Sequence, residues 1–135
     1  MSVLGNVLVD TSAWIEFFRK REPHHSVVLG LIDDDRVCCA GIVLGELLQG
    51  AKSDRELAVL KEFLHVFDFL PETPDLWERA GKLSYTMRRR GEPVGLSDCF
   101  LAVSAKASGV EILTLNRHFG ILKGAVGLDL FRVKP

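Results

Sequence analysis

Excess positive charge is the first thing this chain lacks. Its 17 Lys and Arg against 18 Asp and Glu leave a formal net charge of −1. Proteins that hold nucleic acid non-specifically are usually basic, so any contact with nucleic acid here needs a local patch or a metal ion. Cysteine is scarce too, with only Cys38, Cys39 and Cys99. An odd count containing an adjacent pair is no disulfide framework, and no C-x-x-C spacing marks a zinc site. Each cysteine lies in an apolar run, where a free thiol acts as a small core side chain. A reduced, cytoplasmic setting is expected. No stretch reaches ~18 uncharged apolar residues, so no membrane span is expected. No basic segment precedes an apolar one near the N-terminus, so no signal peptide is expected. Internal repeats and low-complexity segments are absent. The 135 residues, 47% of them hydrophobic, suit a single domain over 1–135. A chain of this length buries roughly two thirds of its unfolded surface.

What is present centres on Val7-Leu8-Val9-Asp10-Thr11-Ser12. A short apolar run ends on a carboxylate and two hydroxyls. Such a run reads as a strand buried on both faces, as in a parallel sheet. Thr11 and Ser12 suit the start of a helix, because their oxygens can accept first-turn N–H groups. In an open parallel sheet, ligands bind outside the carboxyl ends of the strands. Asp10 is therefore either a helix cap or a site residue.

A helix is predicted over Ala13–Arg21, with Trp14, Phe17 and Phe18 on one apolar face. His24 and His25 fall in a break after Pro23. They read as solvated loop residues, since neighbours on a helix diverge by about 100°. A second helix over Val27–Ile32 ends in Asp33-Asp34-Asp35. That run lacks the Gly and distal Glu of a calcium loop and reads as a solvated turn. Arg36–Ala40 is predicted as a strand. Ile42–Gly50 is an almost wholly apolar helix interrupted by Glu46, and a lone acid there needs a partner or a wet face. An amphipathic helix over Ser53–Leu64 carries Leu57, Leu60 and Leu64. Val66–Leu70 reads as an edge strand closed by Pro71. Thr73 caps a helix entered by Pro74, which ends at Arg88-Arg89-Arg90-Gly91. The three arginines serve either a solvated helix end or a phosphate contact. Ser97 is expected to cap a helix over Asp98–Ser108. Val110–Leu115 is a buried strand ending at Asn116-Arg117-His118-Phe119, and the stretch from Gly127 to Val133 reads as a last short strand. Strands alternating with helices imply an α/β fold: a three-layer α/β/α sandwich around a mainly parallel sheet.

Asp10, Glu46, Asp98 and Asn116 all lie at strand ends or in helices beside them. The strand ends of a parallel sheet share one rim, so the four can converge. Converging carboxylates repel unless a cation lies between them. All-oxygen ligands suit Mg²⁺ or Mn²⁺. Beside the hydroxyls of Thr11, Ser12 and Thr114, such a site has the ingredients of metal-assisted phosphodiester hydrolysis.

These residues resemble a known family. Val7–Ile15, Val43–Gly50 around Glu46, Leu96–Ala102 around Asp98 and Leu113–Phe119 look, in order and spacing, like the four motifs of the PIN domain. The nearest likeness is to the VapC-type toxins of toxin–antitoxin systems. The resemblance implies a Mg²⁺- or Mn²⁺-dependent endoribonuclease. Asp10, Glu46 and Asp98 would bind the metal, and Ser12 would orient water or phosphate. It also implies a homodimer, a small cognate antitoxin that blocks the site, and an RNA target such as tRNA or rRNA. Many relatives carry Asp where this chain has Asn116, so one firm metal site is expected and a tightly held second one is not. Arg117 and His118 flank Asn116 and can touch RNA, as can Arg88 and Arg89, while His118 can equally be a local hydrogen-bonding residue. The competing reading is a PIN-like domain kept for binding or regulation. A phospho-acceptor receiver domain is disfavoured, because the acid spacing does not supply its arrangement.

Overall fold

The computed structural model describes residues 5–134. The predicted first strand appears as β1 (Val7–Val9), and its residues 1–4 lie outside the described residues. The chain continues with α1 (Thr11–Phe18), α2 (His24–Asp33), β2 (Val37–Cys39), α3 (Gly41–Gln49), α4 (Asp54–Leu64) and β3 (Asp68–Phe69). It ends with α5 (Pro74–Arg89), α6 (Leu96–Ser108), β4 (Glu111–Leu113) and α7 (His118–Val126). All four strands run parallel, in the order β3-β2-β1-β4. Leu8 pairs with Cys38 on one side and Ile112 on the other. The helices pack among themselves as two sets, α1 to α4 and α5 to α7. This is the α/β/α arrangement expected from the alternation of elements. Among the described residues no helix is long and apolar enough to cross a membrane.

The strand order explains where a site can form. From β1 the chain steps outward to β2 and then to the edge strand β3. It then crosses back to place β4 on the opposite side of β1. The direction of winding therefore reverses between β1 and β4. At such a reversal, the loops leaving two neighbouring strands part and open a crevice at their carboxyl ends. Asp10 and Thr114 each follow one of these two strands.

The core forms as the apolar runs predict. Val7, Leu8 and Val9 are wholly buried, and so are Trp14, Val43, Leu64 and Phe119. Trp14 sits among Phe17, Phe18, Phe63 and Phe67, with ring centroids 5.6 to 5.7 Å away. The three thiols are buried and free. Burial raises Cys38 to about 12 and Cys39 to about 11, so neither is a nucleophile at neutral pH. The α5–α6 pairing is anchored by Trp77 stacked on Phe100, with centroids 3.8 Å apart.

Some local expectations fail. His24 and His25 are not solvated loop residues, because α2 begins at His24 and both are half-buried. His25 stacks on Phe17, and its Nδ1 lies 3.0 Å from the Phe17 carbonyl oxygen. Ser97 is not the cap of α6. The chain turns two residues earlier, so Gly95 takes the N-cap position and Ser97 lies inside the first turn. Leu57 does not join the apolar stripe of α4, for only Leu60 and Leu64 are buried there. The last predicted strand shrinks to a single bridge, Leu130 beside Ile112. The aspartates at 33–35 are exposed, as expected of a solvated turn.

Candidate active site at the strand reversal

Asp10 is 5% exposed, and the ion pairs among the described residues do not include it. It occupies the N-cap position of α1 by backbone geometry, with its carbonyl oxygen accepting from the Ala13 and Trp14 N–H groups. Its side chain caps nothing. The predicted capping by Thr11 and Ser12 is not made either, because both hydroxyls are engaged elsewhere. The Asp10 N–H donates to the Leu113 carbonyl, which extends the β1–β4 ladder to the end of both strands. That register sets Asp10 against Thr114.

The two hydroxyls converge on a single oxygen. Ser12 Oγ lies 3.1 Å and Thr114 Oγ1 2.7 Å from Asp10 Oδ2. Ser12 Oγ also accepts the Leu115 N–H, and Thr114 Oγ1 accepts the Asn116 N–H. A hydroxyl has one proton to give. With an N–H pointing at each oxygen, both protons turn to the carboxylate. The loop after β4 is thus stitched to the loop after β1, and Asp10 Oδ2 is held from two sides. Among the described residues, Asp10 Oδ1 has no hydrogen-bond donor, and it is not counted among the sealed, unpartnered polar atoms. It is the atom left for a ligand. Ser12 therefore supports Asp10. Thr114, expected only as a supporting hydroxyl, has the shortest contact to Asp10.

Asp98 comes from the first turn of α6. Its Oδ2 accepts from Asn116 Nδ2 at 3.0 Å, and His118 Nδ1 stands 3.6 Å away. Burial raises its carboxyl above the usual range, and the charge of Asp10 raises it further. Asn116 and His118 pull it partly back. A carboxyl raised by burial and by a neighbouring carboxylate marks a place short of positive charge.

Asn116 bridges two neighbours through its amide. Its Oδ1 accepts the His118 N–H at 3.0 Å, and its Nδ2 donates to Asp98. A backbone N–H on one end and a carboxylate on the other fix the orientation of the amide. The His118 N–H uses one of the two lone pairs of Asn116 Oδ1. An acid here would bring a third negative charge against Asp98, whereas the amide relieves the charge already present.

Glu46 stands apart from this pair. It is exposed on α3, and its Oε1 accepts from Thr11 Oγ1 at 2.8 Å. Thr11 thus ties Glu46 to the residue beside Asp10. Among the described residues no three His, Cys, Asp or Glu side chains stand close enough to enclose a metal ion. The charge of Asp10 is felt at Asp98, and Glu46 is joined to the end of β1 through Thr11. Arg117 is exposed beside Asn116, and Arg88 and Arg89 are exposed at the end of α5. A groove of about 690 Å³ runs from Glu46 between α1, α3 and α4, lined by Ile15, Phe18, Leu47, Val59 and Leu60. Sequence reasoning missed it. The available signal was Val59, an apolar residue off the Leu57-Leu60-Leu64 stripe of α4 and exposed in the fold.

Residues 7–124 match the PIN domain. The chain belongs to the PIN domain family. Within that family it is 30% identical over 122 residues to the tRNA(fMet)-specific endonuclease VapC of Salmonella typhimurium, across 87% of this chain and 92% of the relative. It is 29% identical over 128 residues to ribonuclease VapC11 of Mycobacterium tuberculosis, across 91% and 96%. Among solved structures it resembles DNA-bound VapBC from Salmonella typhimurium, with a TM-score of 0.72, 25% identity, and 96% and 98% of the two chains covered. VapBC2 from Rickettsia felis, bound to a promoter DNA fragment, gives a TM-score of 0.75 at 19% identity, with 95% and 98% covered. The strand reversal and its flanking acids are thus set in a PIN fold.

Because Asp98 is raised in this PIN domain, the folded chain binds that proton more tightly than the unfolded chain does. With no divalent cation present, stability therefore rises as pH falls through the interval between the ordinary carboxylate value and the raised one. Urea denaturation across a pH series should show this slope, and Asp98→Asn should flatten it. A wild-type slope that Asp98→Asn leaves intact would contradict the assignment.

Proposed function

We propose that this PIN domain is a divalent-metal-dependent endoribonuclease, the toxin of a type II toxin–antitoxin pair, with Asp10, Glu46 and Asp98 as its metal-binding acids. The observation that carries the reading is the buried Asp10, clamped through Oδ2 and free at Oδ1, beside an Asp98 that its charge disfavours. The donor set fits the ion. It is all oxygen, and it is open: Asp98 feels the charge of Asp10, and Glu46 is tied to the same strand end through Thr11. Mg²⁺ keeps several waters and needs only one or two carboxylates, and Mn²⁺ accepts the same ligands. A closed cage of protein ligands is not required.

When bound, such an ion neutralises charge on a phosphodiester and makes a water more acidic. The chain's own residues set up that chemistry. Ser12 and Thr114 hold Asp10 in one rotamer, so that Oδ1 stays directed at the crevice. Asn116 holds Asp98 by one oxygen and leaves the other free. Thr11 keeps the exposed Glu46 from swinging away. Arg117, on the rim, is placed to meet RNA phosphate. His118 is a neighbour of Asp98, and no proton transfer through it is needed. The RNA would be a structured one such as tRNA or rRNA, cut in the cytoplasm by a homodimer.

The antitoxin would seat an apolar segment along the groove of Ile15, Phe18 and Val59, which leads to Glu46. A basic side chain carried past that point would neutralise the acids as the metal does. The second reading, a PIN domain kept for binding alone, is favoured only by Asn116, whose amide is spent on His118 and Asp98.

Cleavage of RNA with Mg²⁺ or Mn²⁺, stopped by chelation, distinguishes the two readings. Asp10→Asn should lower the rate by more than about a hundredfold, the upper end of what loss of a supporting group around a metal ligand costs. Equal cleavage by both proteins would overturn the assignment. Asn116→Asp places a carboxylate where an amide donor stood and should tighten Mg²⁺ binding on the order of tenfold in calorimetric titration. Unchanged affinity would show that position 116 lies outside the ion's reach.

A further inference from the structure

The basic end of α5 is not used in closing its own helix. The carbonyls of Thr86, Met87 and Arg88 are taken by the N–H groups of Arg90, Glu92 and Gly91, with Gly91 in the left-handed region at φ 79°. Arg88, Arg89 and Arg90 are all exposed, and the ion pairs among the described residues involve none of them. One turn earlier lies Tyr85, the chain's single tyrosine, 54% exposed. The Arg89 guanidinium carbon stands 5.8 Å from the Tyr85 ring centroid. Three consecutive arginines outside any ion pair among the described residues, one of them over an exposed aromatic ring, are hard to explain as solubility alone in a chain of net charge −1.

The position of this patch follows from one carbonyl. Val94 is buried in the loop between α5 and α6. Its oxygen accepts from Ser84 Oγ at 2.9 Å and lies 3.8 Å from Cys99 Sγ. Ser84 precedes Tyr85, and Cys99 follows Asp98. The loop therefore pins the Tyr85 turn beside the turn that carries Asp98. The patch and the acid share one end of the α5–α6 hairpin.

We propose that Tyr85 and Arg89 form a stacking platform for an unpaired base of the RNA substrate next to the cleaved bond, with Arg88 and Arg90 on the flanking phosphates. This rests on the ribonuclease reading above. An aromatic ring with an arginine beside it binds the face of any base, but only one that is free of its helix. Guanidinium groups add phosphate contact without base identity. The platform selects looped or single-stranded RNA over duplex, and it does so at a chain-neutral surface by local charge.

The test uses the full chain carrying Asp10→Asn, so that RNA is bound and not cut. Fluorescence anisotropy reads the binding of a short labelled single-stranded RNA and of the same strand in a duplex. Tyr85→Ala should weaken single-strand binding by about tenfold, the range of one lost base–aromatic stack, and leave duplex binding nearly unchanged. Tyr85→Phe should retain the affinity. Arg88→Gln with Arg90→Gln should flatten the salt dependence of binding. Wild-type single-strand affinity in Tyr85→Ala overturns the proposal. So does an equal loss on both RNAs together with a change of oligomeric state in light scattering, which would make the patch a face between copies of this chain. If the chain with native Asp10 cuts no RNA but Tyr85→Ala still loses single-strand affinity, the ribonuclease reading fails and the platform stands.

Discussion

A carboxylate is held almost out of water at the point where the sheet reverses its winding, and among the described residues no lysine or arginine pairs with it. The organisation of the site depends on that constraint. A buried charge needs hydrogen bonds or a counter-ion. Asp10 receives two hydroxyl protons on one oxygen, and each hydroxyl is itself aimed by a backbone N–H of the loop after β4. The arrangement joins the ends of β1 and β4, the two strands between which the crevice opens. It leaves the negative charge itself uncompensated. That shortage reappears at Asp98, whose carboxyl is raised by burial and by Asp10.

The segment from Thr114 to His118 serves both acids. Thr114 reaches Asp10, Asn116 reaches Asp98, and Asn116 Oδ1 takes the first N–H of α7. One short loop therefore sets the separation of the two carboxylates. Glu46 belongs to a different part of the molecule. It rides on α3, at the mouth of the apolar groove, and reaches the strand end only through Thr11. The site thus has a rigid half at the strand reversal and a flanking acid at the mouth of that groove.

Much of this was legible in the sequence. The buried run Val7–Val9 breaking at Asp10 gave the central strand and its terminal acid, because period and composition carry that information. The parallel sheet followed from the alternation of elements. Glu46 was flagged because an acid in an apolar helix is anomalous. The sequence did not reveal which hydrogen bonds the polar groups choose. Thr11 and Ser12 look like caps, and each instead serves a carboxylate, one of them 35 residues away. Asn116 looks like a ligand and acts as a bridge. His24 and His25 look solvated because a proline precedes them, yet packing on Phe17 draws His25 into the helix. These choices depend on tertiary contacts between distant segments, which local pattern does not encode.

The central claim is that a divalent cation belongs between the free oxygens of Asp10 and Asp98. An anomalous difference map from crystals of the protein soaked in Mn²⁺ tests it most directly. The account predicts one strong peak at the carboxyl ends of β1 and β4, within coordinating distance of Asp10 Oδ1 and of Asp98, with Glu46 at its side. A soaked crystal with no peak there, or with its strongest peak elsewhere on the chain, would contradict it.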